Sequence, residues 1–211
     1  GLPILSSLSA LPHPVDLVTI LAPASVIPDL LDNCGRLGIT RIVVESAGFS
    51  EFSEAGQALE AVVQNKIKQY NLRLIGPNGL GLINQEIGLS LPFALIPHRP
   101  ALGNISLVCQ SGGVGTHLIS WLAHVGLGLN KFVSLGNKLN VQENEVLEYL
   151  MLDPGTKIIC LYLEDIADGQ GLLAVCRKAT KPILLLKANI GASSAAIARS
   201  HTSALAADDQ V

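Results

Sequence analysis

Gly103-Asn-Ile-Ser-Leu-Val-Cys-Gln-Ser-Gly-Gly-Val-Gly115 reads as a strand, a tight turn and the start of a helix. Ile105, Leu107 and Val108 favour an extended chain. Gln110, Ser111, Gly112 and Gly113 end that run, and apolar residues then recur at Val114, Leu118, Trp121 and Leu122, the spacing of a helix. Glycines at such a turn let the backbone come close to a group outside the protein. The N–H groups of a first helical turn point the same way, with the helix dipole behind them. Ser111, Gly112 and Gly113 therefore form a candidate phosphate site, although a tight turn without a ligand would read the same.

Strands and helices alternate outward from this turn in both directions. Toward the amino end, Asp16–Leu21, Arg41–Glu45 and Arg73–Ile75 read as strands, with Leu2–Leu5 as a short edge strand. Helices are predicted from Pro23 to Leu37 and from Ser53 to Tyr70. Toward the carboxyl end, strands are predicted over 104–109, 131–134, 157–163 and 182–187, and helices over 112–124, 142–151 and 169–179. This alternation is the mark of an α/β fold with parallel sheets covered on both faces, in three layers. Between Asn84 and Leu102 the periodicity lapses and Pro92, Pro97 and Pro100 appear, so a domain boundary is expected near residue 98, giving units 1–98 and 99–211.

Composition narrows the function classes. The chain has 211 residues, of which 49% are hydrophobic, enough for a sizeable core. A net charge of −3 gives no reason to expect nucleic acid or an anionic membrane as partner, and 4% aromatic residues offer few platforms for base stacking. No apolar run reaches membrane-spanning length, and no signal peptide is visible. Cys34, Cys109, Cys160 and Cys176 are scattered, which reads as buried thiols in a reducing cytoplasm, not as disulfides or zinc ligands. The chain opens on Gly1 and its one methionine is Met151, so it reads as part of a longer polypeptide.

In open α/β sheets, ligands bind beyond the carboxyl ends of the strands. Ser111, Glu164 and His201 each follow such an end, so all three are expected along one rim. His201 stands among small polar residues, and a neutral imidazole there can take up a phosphoryl group as phosphohistidine. Glu164 would then serve the other ring nitrogen, fixing the tautomer and balancing charge. A surface histidine and an exposed strand-end glutamate fit the same residues. His117 and His124 are spaced too widely for an i, i+4 metal pair, and His13 and His98 sit beside prolines, so no metal site is expected. A dinucleotide fingerprint fails, because Gly113 and Gly115 are followed by Leu118 where a third glycine belongs. A serine hydrolase built on Ser111, Glu164 and His201 has the right residue order and remains an alternative. Against it, Cys109 occupies a place where the strained elbow wants glycine.

Gly76-Pro-Asn-Gly-Leu-Gly81, Gln110-Ser-Gly-Gly-Val-Gly115, Val133-Ser-Leu-Gly-Asn-Lys138, Leu161-Tyr-Leu-Glu164 and Ser200-His-Thr202, in this order, resemble the ADP-forming acyl-CoA synthetases. These are relatives of the succinyl-CoA synthetase alpha subunit. The resemblance implies a partial CoA-binding Rossmann-like domain followed by a flavodoxin-like domain. It also implies an acid–thiol ligase that interconverts acyl-CoA, ADP and phosphate with acid, CoA and ATP. In that scheme His201 carries the phosphoryl group, Glu164 steadies it, the helix-start turn at Ser111, Gly112 and Gly113 holds phosphate, and Asn78 lies near the CoA thiol. Coenzyme A and ATP/ADP with Mg²⁺ would be the cofactors, the nucleotide sitting on a nucleotide-grasp (ATP-grasp) domain or subunit outside these residues. The other partner would be a small acyl-CoA or carboxylic acid, and a homo-oligomer is compatible.

The sequence departs from the family pattern at several places. Cys109 stands where serine is common, Gly79 where cysteine is common, and Ser203 and Ala207 where glycine is common. A glycine-rich CoA phosphate loop is expected upstream of Gly1. Some relatives are fused to an acetyltransferase and sense acyl-CoA, and in those the histidine tends to be lost. The presence of His201 favours catalysis over that regulatory alternative.

Overall fold

The structure, a computed structural model, describes residues 4–12 and 14–189. Its first sheet holds β1 (Val18–Ile20), β2 (Arg41–Val44) and β3 (Arg73–Ile75), all parallel, in the order β1-β2-β3. Helix α1 (Ile27–Arg36) follows β1, and α2 (Glu54–Tyr70) follows β2. Ser53 opens α2 by accepting a hydrogen bond on its Oγ from the Gly56 N–H at 3.1 Å, and Asn71 closes it in the left-handed region. Alternate strand residues face opposite ways. Ile42, Val44 and Leu74 pack with Ile27, Leu31, Val63 and Ile67 of the two helices. Ile75 turns the other way and joins the core of the second unit. Ile4 and Leu5 carry no strand, so the expected edge strand at Leu2–Leu5 is not formed by its described residues.

The second sheet has six strands in the order β5-β4-β7-β6-β8-β9. They are β4 (Leu82–Asn84), β5 (Leu89–Ser90), β6 (Leu102–Cys109), β7 (Leu129–Ser134), β8 (Ile158–Leu163) and β9 (Ile183–Lys187). The last four are parallel to one another, with Val108 paired to Val133 on one side and to Leu161 on the other. Three layers result. Helix α3 (Gly112–His124) covers Ile105, Leu107, Cys109 and Phe132 on one face. Helices α4 (Glu143–Leu152) and α5 (Gly169–Arg177) cover Val108, Ile159, Leu161 and Leu163 on the other. Each such buried aliphatic side chain contributes about 1.5–3 kcal/mol.

The expected parallel strands form both sheets, and the second gains an antiparallel edge. Strand β4 runs antiparallel to both β7 and β5, so the second sheet is mixed. These two strands come from residues 82–90, and the chain therefore changes sheet after Ile75, ahead of the lapse in periodicity that begins at Asn84. They are too short, and Asn84 and Ser90 too polar, to show an apolar period.

The amino rim of the second sheet is closed by its own polar groups. Lys131 Nζ lies 2.8 Å from Asp153 Oδ2 and 2.7 Å from Glu86 Oε2, and Ser106 Oγ lies 2.8 Å from Thr156 Oγ1. Burial would depress the Lys131 ammonium, but hydrogen bonds to Asp153 and Glu86 outweigh it and hold its pKa above the usual value.

Candidate functional site

The opposite, carboxyl rim gathers loops from both sheets. Ser111 caps α3 in ordinary extended backbone (φ −85°, ψ 123°), and its Oγ accepts from the Val114 N–H at 3.4 Å. The N–H groups of Gly112 and Gly113 begin the helix, where no intrahelical acceptor is available to them. This backbone is the reverse of a strained nucleophile elbow, and the hydroxyl is turned back onto its own helix. The Ser111, Glu164, His201 hydrolase alternative is thereby corrected. Cys109, just before the turn, is fully buried, and burial with the nearby Cys160 pushes its thiol up to about 12, so it offers no nucleophile. All four cysteines are free.

Gln110 ties this turn to the end of β8. Its Oε1 accepts from the Glu164 N–H at 2.9 Å and the Asp165 N–H at 3.1 Å, and its Nε2 donates to Asp165 Oδ1. The fold thus brings Ser111 and Glu164 together, two of the three expected rim residues, with the half-buried Glu164 also receiving Lys187 Nζ on its carbonyl at 3.0 Å. His201, with Ser203 and Ala207, lies outside the described residues.

The loop Gly76–Gly81 completes the rim. Leu80 N–H donates to Ser134 Oγ at 2.9 Å, and Asn78 N–H donates to the Ser46 carbonyl at 2.8 Å. A Cβ on Gly112 would stand 3.1 Å from Leu80 Cβ, so the helix-start turn and this loop are in contact. At Gly79 a Cβ would stand 3.0 Å from the Ser134 carbonyl oxygen, which makes the departure at Gly79 a tight fit for any larger residue.

Beneath both loops runs Ser134-Leu-Gly-Asn-Lys138, and here sequence reasoning missed functional residues. Lys138 Nζ is 2.8 Å from Asp165 Oδ1 and 3.0 Å from Glu143 Oε2, and it donates to the Asp165 carbonyl at 3.0 Å. Lys138 and Glu143 are 3% and 0% exposed at their side chains, so this is a buried ionic hub that positions Asp165 and, through Gln110, the Glu164 loop. Asn137 links Asn78 to Glu51. The one sequence signal was the motif Val133–Lys138, which by itself assigns no role to its last two residues.

Glu45, at the end of β2, is 4% exposed and lies against Gly81, with Oε1 unpartnered. Burial raises its pKa, against a hydrogen bond from the Phe93 backbone that lowers it. A raised carboxyl stabilises the fold fully below its unfolded pKa of about 4.3, and that contribution is lost as pH rises through the folded value. Glu45→Gln is therefore expected to stabilise the protein by about 1 kcal/mol at pH 7, with the gain vanishing toward pH 4. Urea titrations at the two pH values check it, and equal midpoints for both proteins at pH 7 refute it.

Comparison with known proteins agrees with this architecture. Residues 1–85 match the CoA binding domain model, and residues 102–211 match the succinyl-CoA ligase like flavodoxin domain model. An "Acetate--CoA ligase [ADP-forming] I" of Archaeoglobus fulgidus is 37% identical over 208 residues, 98% of this chain and 30% of that protein. The "Acetate--CoA ligase [ADP-forming] I subunit alpha" of Pyrococcus furiosus is 32% identical, covering 97% of this chain and 44% of that subunit. A solved structure of dinucleotide forming acetyl-coenzyme A synthetase 1 of Ca. Korarchaeum cryptofilum, in complex with phosphate and ADP, superposes with a TM-score of 0.90 at 30% identity, over 99% of this chain and 45% of that one. The chain thus spans less than half the length of these relatives. Neither the hydrolase nor the acetyltransferase-sensor alternative finds support in these relatives. No helix among the described residues is long and apolar enough to cross a membrane. These matches, with the sheet order, place the chain in the family of ADP-forming acyl-CoA synthetases, as its alpha-type region, a CoA-binding Rossmann-like unit joined to a succinyl-CoA ligase-like flavodoxin unit.

Proposed function

We propose that this region works in a cytoplasmic ADP-forming acyl-CoA synthetase, interconverting acyl-CoA, ADP and phosphate with a carboxylic acid, CoA and ATP. The observation that carries the reading is the convergence of Ser111, the Glu164 loop and the Asn78 loop on one rim. The N–H groups of Gly112 and Gly113, with the α3 dipole, hold the phosphoryl oxygens. Phosphate displaces the CoA thiolate from the acyl carbon to give an acyl phosphate; His201 then takes the phosphoryl group on a ring nitrogen as the carboxylic acid leaves, and later yields it to ADP. Glu164 stabilises the imidazolium character that develops. Asn78 meets the thiol end of CoA. Nucleotide and Mg²⁺ belong to an ATP-grasp domain or partner subunit, in line with the subunit naming of the Pyrococcus relative.

The test uses the intact protein with ATP and Mg²⁺. An acid-labile phosphoryl label is expected on His201 and is absent in His201→Ala. Glu164→Gln lowers the labelling by about tenfold, a loss near 1.4 kcal/mol. A label that survives His201→Ala overturns the assignment, and normal labelling of Glu164→Gln removes Glu164 from the mechanism.

A further inference from the structure

A carboxylate dictates which way round two asparagine amides sit at the rim. Glu51 Oε1 accepts from the N–H of Gly48 at 2.7 Å and of Phe49 at 3.1 Å, while Oε2 accepts from Asn137 Nδ2 at 2.6 Å. Burial alone would raise this carboxyl, but the hydrogen bonds from Asn137, Gly48 and Phe49 outweigh it and hold it below the usual range. An ionised carboxylate only accepts. Asn137 must therefore give its NH₂ to Glu51, which turns its Oδ1 toward Asn78. That oxygen receives Asn78 Nδ2 at 3.2 Å. The backbone of both asparagines is pinned, Asn78 N–H to the Ser46 carbonyl and Asn137 N–H to the Pro77 carbonyl, each at 2.8 Å. With its NH₂ turned to Asn137, the Asn78 amide presents Oδ1 on its other side, and no described residue donates to that oxygen.

We propose that Glu51 is a positioning residue that fixes Asn78 as a hydrogen-bond acceptor, so that the ligand group met at Asn78 is a donor, the S–H or an amide N–H of the CoA arm. The choice of ligand rests on the CoA reading of Asn78 given above. The sense of the hydrogen bond does not. It follows from one charge that orients two amides in turn, because an amide that points its NH₂ one way points its oxygen the other.

Glu51→Gln tests this with little disturbance of the loop. A glutamine that keeps its oxygen at the Oε1 position still accepts from Gly48 and Phe49. Its NH₂ then faces Asn137, both asparagines flip, and Asn78 presents NH₂ where it presented oxygen. On the intact protein, the KM for CoA is expected to rise about tenfold, with kcat at saturating CoA, the KM values for ADP and phosphate, and His201 labelling by ATP unchanged. The double variant Glu51→Gln/Asn78→Asp returns an acceptor to the outer position, because the introduced carboxylate accepts from the flipped Asn137 and keeps a free oxygen outward. Its KM for CoA should fall back to within about threefold of the wild type.

Desulfo-CoA identifies the donor. An S–H donor makes wild type and Glu51→Gln bind desulfo-CoA alike, and an amide N–H donor carries the penalty over. Either pattern supports the proposal. An unchanged KM for CoA in Glu51→Gln, equal losses for all substrates, or a double variant no better than Glu51→Gln overturns it. A wild type that labels on His201 yet shows one of those results leaves the synthetase reading standing, whereas a wild type that neither labels nor binds CoA removes that reading itself.

Discussion

Lys138→Met is expected to cost the fold about 3–5 kcal/mol. The Lys138 ammonium faces two carboxylates, Glu143 Oε2 at 3.0 Å and Asp165 Oδ1 at 2.8 Å, and the Glu143 side chain is wholly buried. Methionine fills the volume but leaves Glu143 as an uncompensated interior charge. Removing one partner of a buried pair is far more damaging than removing both, because desolvation of the survivor is no longer offset. Lys138→Met/Glu143→Gln should therefore recover much of the loss, and the two changes should couple by about 1–3 kcal/mol. Urea unfolding of the two single variants and the double variant measures the coupling. Additive losses would show that Lys138 and Glu143 do not act as a unit. The same change should loosen the Glu164 loop, since Asp165 loses both its ionic partner and the donor to its carbonyl.

Gly136→Ala is the second large effect. Gly136 has φ +58°, a region that costs a residue with a Cβ about 1–2 kcal/mol. That methyl would also run into the Pro77 carbonyl oxygen and stand 2.8 Å from the Asn78 carbonyl carbon. Both obstacles are backbone, so relief requires moving the Gly76–Gly81 loop off the end of β7. We expect a loss of at least about 2 kcal/mol in stability and a fall of about tenfold or more in CoA affinity, with His201 still labelled by ATP in the intact protein. Calorimetric titration with CoA beside the phosphoryl assay separates the two losses. Wild-type CoA affinity in this variant would show that the Asn78 loop is not the thiol-end contact.

Much of the second unit was legible because its strands are continuous apolar runs. Ile105–Cys109 is buried throughout and Ile158–Leu163 alternates buried with half-buried residues, with helices on both faces, and their boundaries were read to within two residues. The turn at Ser111 was legible because glycines punctuate it. Strands β4 and β5 were not, since a three-residue and a two-residue strand carry too little pattern, and their place is set by partners far along the chain. The Lys138 and Glu51 networks were hidden for another reason. Lys138 meets Glu143 and Asp165 only after β7, α4 and β8 have packed together, and Glu51 meets Asn137 only after the first unit has met the second. In sequence, Glu143 is an ordinary acid at a helix start and Glu51 an ordinary loop residue. Their spacing carries no period.

The β4–β5 hairpin limits how this polypeptide can be divided for expression. A fragment begun at residue 99 would leave behind β4, which pairs with the outer side of β7, and β5 beyond it, baring a row of main-chain donors and acceptors open to pairing with other copies. A cut that preserves both sheets must fall between Ile75 and Leu82, inside the very loop that holds Asn78.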